Sequence, residues 1–119
     1  MKKLLSCLFF GLSLTVLGGC ASDPAPLEQM RLTEQAVQQA RAVGADEQTA
    51  ELVLAELKLA AARVAMNDED FRQARLLSEQ AELDARLAEA RVLNAKSASQ
   101  IAELNRGIER LRQQLGDLR

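Results

Sequence analysis

The chain has 119 residues, 15 Lys and Arg against 17 Asp and Glu, and 48% apolar side chains, with no His, no Trp, no Tyr and three Phe. That length supports one small domain. Without His and with only two Cys, neither a His/Cys zinc site nor a His-based catalytic triad can be assembled. An acidic balance free of basic blocks argues against a nucleic-acid partner, whose phosphates demand clustered Lys and Arg.

The N-terminal segment reads as a signal. Lys2 and Lys3 form a positive n-region, and Leu4 to Val16 form an apolar run of 13 residues. Such a run is too short to span a bilayer as a helix and suits a signal-peptide core. Leu17-Gly18-Gly19-Cys20 follows and resembles the lipobox of bacterial lipoproteins. The resemblance implies a diacylglycerol on the Cys20 thiol, cleavage between Gly19 and Cys20, and an N-acyl chain such as palmitate on the new Cys20 amine. Residues 1–19 are then the signal peptide and residues 20–26 a lipidated tether. Ala21 rather than Asp follows the cysteine. By resemblance to the enterobacterial sorting pattern, this implies the outer membrane, facing the periplasm. Several acyl chains anchor stably where one is marginal.

Loss of residues 1–19 removes Lys2 and Lys3 but no acidic residue. This leaves 13 basic against 17 acidic side chains, a net charge of −4, with Phe71 the one remaining aromatic. Cys7 leaves as well, so no disulfide is expected in the oxidising periplasm. The remaining hundred residues hold 20 Ala, 15 Leu, 11 Arg and 11 Glu, a strongly helical composition.

After Pro24 and Pro26, the only prolines, a first helix is expected from Leu27 to Val43, with Gly44 as its left-handed stop. Asp46 suits the N-cap of a second helix running to Met66. Asn67 suits the next stop and Asp68 the next cap. A third helix then meets no strong breaker and reaches about 48 residues, or ~70 Å; Asn94 to Ser99 is its weakest stretch. The fold class is all-α: an antiparallel hairpin or three-helix arrangement over residues 27–95, with an extension over 96–119.

Spacing predicts the packing. Leu52, Ala55, Leu59, Ala62 and Met66 draw one seam along the second helix, and Ala50, Leu54, Leu57, Ala61 and Val64 draw another. Two seams call for two neighbours, which makes this helix the expected middle element. In the third helix Ala74, Ala81, Ala88, Ala95 and Ala102 recur every seven residues. Folding back at Asp68 sets Ala62 by Ala74, Leu59 by Leu77 and Ala55 by Ala81. Met30, Thr33, Val37 and Ala40 of the first helix face the other seam.

The last third carries an a/d heptad of Ile101, Leu104, Ile108, Leu111, Leu115 and Leu118, beyond the reach of the second helix. These six residues form the candidate interface with a second copy or an envelope protein. The alternative is an amphipathic tail packed on its own hairpin.

Ala55-x-x-Lys58-Leu59-x-x-Ala62, Asp68-x-x-Phe71-x-x-Ala74 and Ala81-Glu82-Leu83-Asp84-Ala85-Arg86-Leu87-Ala88-Glu89-Ala90 together resemble the core of a bacterial envelope family, domain of unknown function 4398. The resemblance spans residues 27–95. Its members are typically small, helical, predicted lipoproteins of Gram-negative bacteria. Some associate with OmpA-like peptidoglycan-binding proteins, which implies a structural or adaptor role.

Asp84 and Arg91, seven apart in the gaps of the alanine seam, are candidate polar positions. They are read either as paired with each other or with a ligand, or as reaching out to water at the seam's edge. Lys58 is expected to pair with Glu51 or Glu56. Asp68 and Asp70 cap helices rather than bind calcium, and Phe71 plugs the end of the hairpin. No Gly-rich phosphate loop or clustered acid/base pair is present.

The expected function is therefore a non-enzymatic, lipid-anchored structural or adaptor protein, without cofactor, metal, nucleic acid or small-molecule substrate. The second expectation is a single tetratricopeptide-like binding module for a periplasmic partner such as an OmpA-like protein. Such modules stack about three or more repeats, and only one helix pair is visible. A Braun-lipoprotein-like covalent staple is disfavoured because the chain ends in Leu118-Arg119 rather than lysine.

Overall fold

The computed structural model describes residues 23–117. The signal segment, the processing pair Gly19 and Cys20, and Leu118 lie outside the described residues. Three helices are formed among the described residues: α1 (Leu27–Ala42), α2 (Ala50–Asn67) and α3 (Phe71–Gly116). The all-α expectation holds.

Local chemistry sets each boundary. α1 carries Glu28 in its first turn and Arg41 in its last, both complementary to the helix dipole. It ends in a Schellman motif. The Ala45 N–H donates to the Ala40 carbonyl at 2.9 Å and the Gly44 N–H to that of Arg41 at 2.9 Å. Gly44 takes φ 103°, as expected of the residue that stops this helix.

The second helix starts later than Asp46. The Asp46 carboxylate accepts from the Gln48 N–H at 2.9 Å and its carbonyl from the Thr49 N–H at 2.9 Å. That closes a turn of its own, and α2 begins after Thr49.

The end of α2 also shifts. The helix runs through Asn67, so the left-handed position falls on Glu69, φ 60°. The Asp70 N–H then reaches the Ala65 carbonyl at 2.9 Å. Asp70, not Asp68, caps α3 by accepting from the Gln73 N–H at 3.0 Å. α3 continues for 46 residues without interruption, about 69 Å. Asn94 to Ser99 stays helical, because good helix formers surround it and no proline removes a donor.

The middle element is α3, not α2. Contacts of α1 climb along α3. Arg75 donates to the Pro24 carbonyl at 3.3 Å, Thr33 to that of Ser78 at 2.9 Å, Gln39 to Glu89 at 3.3 Å, and Lys96 to the Val43 carbonyl at 2.6 Å. α1 is thus parallel to α3. Contacts of α2 descend, Glu51 meeting Arg91 and Lys58 meeting Asp84, so α2 is antiparallel. α1 and α2 touch each other far less than either touches α3.

Buried Thr33, Val37 and Ala40 of α1 and Leu52, Ala55, Leu59, Ala62 and Ala65 of α2 close on Ala74, Ser78, Ala81, Ala85 and Ala88 of α3. Small residues along α3 leave room for two helices side by side. That is why α1 docks there and leaves the second seam of α2 in solvent. Ala50, Leu54, Leu57, Ala61 and Val64 are all exposed. Ala65 takes the buried place expected of Met66, while Met66, Met30 and Leu77 are half-buried.

Candidate functional site

Two surfaces stand out, a charged groove and an apolar stripe. The groove lies between α1 and α2, floored by Val37 and Leu59 and rimmed by Arg41, Glu56, Arg63 and Glu34. Its charges are already spoken for within the chain. Arg41 meets Glu56 at 2.6 Å and Arg63 meets Glu34 at 2.7 Å. These pairs join α1 to α2 and leave neither charge of either pair free for a ligand.

The charged seam positions behave similarly. Lys58 Nζ lies 2.6 Å from the Asp84 carboxylate, and Arg91 lies 3.0 Å from that of Glu51. Asp84 and Arg91 therefore do not pair with each other, and Lys58 pairs with neither Glu51 nor Glu56. Antiparallel packing explains the change. Glu51 and Lys58, seven apart on one edge of α2, meet Arg91 and Asp84, seven apart on the facing edge of α3. Arg91 still reaches out into water, its side chain 64% exposed.

Glu82 links α3 to itself and to α1. Arg86 hydrogen-bonds its carboxylate, and the Gln29 amide donates to it at 2.7 Å. Both interactions, that with Arg86 the larger, hold the Glu82 carboxyl below its ordinary pKa. Asp68 ends α2 and Asp70 caps α3. Phe71 is half-buried at the α2–α3 turn. Among the described residues no group of three or more acidic, His or Cys side chains is placed to hold a metal ion.

The apolar stripe is the C-terminal heptad. Among the described residues, the last hydrogen bond from α3 to another element is that of Lys96 with the Val43 carbonyl at the end of α1. Beyond it Ile101, Leu104, Ile108, Leu111 and Leu115 are 47–68% exposed. The described part of the tail does not fold back on its own hairpin. An α-helix with one apolar edge and no partner exposes surface that water disfavours. What this arrangement can do chemically is associate. Sequence reasoning located this segment. It missed that the second seam of α2 stays bare, because spacing shows that a face is apolar and not which neighbour covers it.

Comparison with known proteins agrees with the geometry. Residues 28–104 match the domain of unknown function DUF4398. The chain belongs to the DUF4398 family. A DUF4398 family protein from Pseudomonas aeruginosa PAO1, solved by crystallography, is 61% identical to it. The alignment covers 81% of this chain and 100% of that one, with a TM-score of 0.79. No curated protein matches the chain. The DUF4398 match runs past Lys96 to residue 104, so the family pattern includes the start of the projecting stripe.

Proposed function

We propose that the protein is a non-enzymatic, lipid-anchored structural or adaptor component on the periplasmic face of the bacterial outer membrane, working through the projecting seam of α3. The observation that carries this reading is the placement of two ends along one helix. Pro24, within the tether, lies against Arg75 near the start of α3. Ile101 to Leu115 lie at the other end, ~40–60 Å further along the helix. Anchoring at Cys20 would therefore leave the seam clear of the bilayer. The order of charge, apolar run and lipobox in the first twenty residues supports the anchor. No described helix is long and apolar enough to cross a membrane.

Labelling cells with a palmitate analogue tests the anchor. Wild type should take the label and be recovered with outer membranes, and Cys20→Ser should lose both. Label persisting on Cys20→Ser would overturn the lipobox assignment. Crosslinking in cells from a photoreactive residue at position 108, in place of Ile108, tests the seam. It should capture a second copy or an envelope protein such as an OmpA-like peptidoglycan-binding protein, and Leu111→Asp should abolish the capture.

A further inference from the structure

The stripe does not begin at Ile101. Counted back along α3, the same alternation of three and four runs through Ser97, Asn94, Ala90, Leu87, Leu83, Gln80 and Leu76. Each buried residue of α3 has a stripe residue two positions on, Ala74 with Leu76, Ala81 with Leu83, Ala85 with Leu87 and Ala88 with Ala90. Two residues turn a helix by 200°, so the stripe runs along the back of α3, away from α1 and α2. Leu76, Leu83 and Leu87 are accordingly 46–68% exposed, although they sit within the helical domain. From Leu76 to Leu115 the face extends ~59 Å.

We infer that this whole face, from Leu76 through Asn94 to the C-terminal heptad, is a two-stranded parallel coiled-coil interface with a second copy of the chain. The inference deepens the proposed function, resting on it for the use of the α3 seam, and it names the occupant.

The register argues for self-pairing. Ile101 and Ile108 occupy a positions while Leu104 and Leu111 occupy d positions, the arrangement that favours two parallel strands. Asn94 also falls at an a position. A lone asparagine there fixes register and strand number, because its amide finds a matching amide only when two identical helices align in parallel.

Area agrees. Fully burying a Leu or Ile removes ~60–120 Å² of apolar surface, taking ~1.5–3 kcal/mol at ~25 cal/mol per Å². Eight such side chains per copy, each about half exposed, therefore bring roughly 800 Å² of apolar surface to a dimer. At an apolar share of about 60%, the whole interface is roughly 1,300 Å², inside the ~1,200–2,000 Å² range of stable complexes.

Among the described residues, most of the flanking charge is compensated within each chain, Glu79 excepted. Asp84, Arg86 and Arg91, which border the stripe, are each paired within their own chain, with Lys58, Glu82 and Glu51. Parallel pairing also brings both tethers to one end, as two anchors in one membrane require.

Single-cysteine variants of the full chain test the inference. Cys7→Ser and Cys20→Ser remove the native thiols, and Leu83→Cys, Ser97→Cys or Leu111→Cys is added one at a time. Oxidised in mild detergent, each should convert most of the protein to a disulfide-linked dimer, and Arg106→Cys, on the outer face, should not. Links at Leu111→Cys but not at Leu83→Cys would confine the interface to the tail and overturn the extension. A Leu83→Cys chain linking to an Ile108→Cys chain, rather than to itself, would make the pairing antiparallel and overturn the parallel register. A monomer by light scattering, with no links anywhere, would remove the second copy as occupant, while the palmitate labelling decides the anchor separately. Asn94→Leu should broaden the dimer into a mixture with larger species. An unchanged mass and unchanged melting would take Asn94 out of the interface.

Discussion

Thr33 and Ser78 meet within the α1–α3 contact, both fully buried. The Thr33 hydroxyl lies 2.9 Å from the Ser78 carbonyl and 2.9 Å from that of Gln29 in its own helix, so one proton serves two acceptors. The Ser78 hydroxyl has no hydrogen-bond partner among the described residues. A buried polar group left without one costs on the order of 1–3 kcal/mol. Ser78→Ala should therefore stabilise the fold by about 1 kcal/mol, raising Tm by roughly 4–8 °C for a domain of this size. Thr33→Val should destabilise by about 1 kcal/mol through the lost donor. Thermal melts of both variants check the pair, and a lower Tm for Ser78→Ala would refute it.

Lys58 and Asp84 join α2 to α3 with side chains 31% and 21% exposed. Partial shielding should place their coupling near the upper end of the exposed range, about 0.5–1 kcal/mol. A double-mutant cycle of Lys58→Ala and Asp84→Ala measures it. The coupling should shrink in 1 M salt, as expected for a pair that water still reaches.

Glu69 holds the left-handed position that ends α2, with φ 60°, where a side chain crowds the following carbonyl. Glycine adopts this conformation without that penalty. Glu69→Gly should stabilise the protein by about 1 kcal/mol, read as a higher urea midpoint with an unchanged slope.

Glu82 gives the fold an acid-sensitive contact. Its pKa is lowered in the folded state, chiefly by Arg86 and then by Gln29. The folded protein thus favours the ionised carboxylate more than the unfolded chain does. The resulting stability is fully present above the unfolded value of about 4.3. It disappears as pH falls through the lower folded value. Wild type should exceed Glu82→Gln in urea midpoint at pH 7, and the gap should close below about pH 4. A gap independent of pH would show that the charge contributes nothing.

Much of this protein is legible without coordinates. Gly44 follows an amphipathic stretch and lacks the Cβ that φ 103° would crowd, so the end of α1 falls where spacing puts it. Helical composition and the absence of proline after Pro26 make the long α3 readable as well. Caps were harder. Asp46, Asp68 and Asp70 are equivalent as capping residues, and which one caps depends on where the preceding chain leaves its last carbonyls. The ion pairs of Lys58 and Arg91 were hidden for a similar reason, since their partners lie on another helix in a register that spacing does not show.

Periodicity, a property of one strand of chain, was enough to place the helices, their apolar faces and the heptad that begins at Ile101. The tertiary structure decided which faces meet. Ala74, Ser78, Ala81, Ala85 and Ala88 form a surface low enough for both α1 and α2 to settle on α3, and this overrode the second seam of α2. The same choice turned Leu76, Leu83 and Leu87 outward and joined them to the heptad. A face becomes available for association only once folding has settled what the rest of the chain covers.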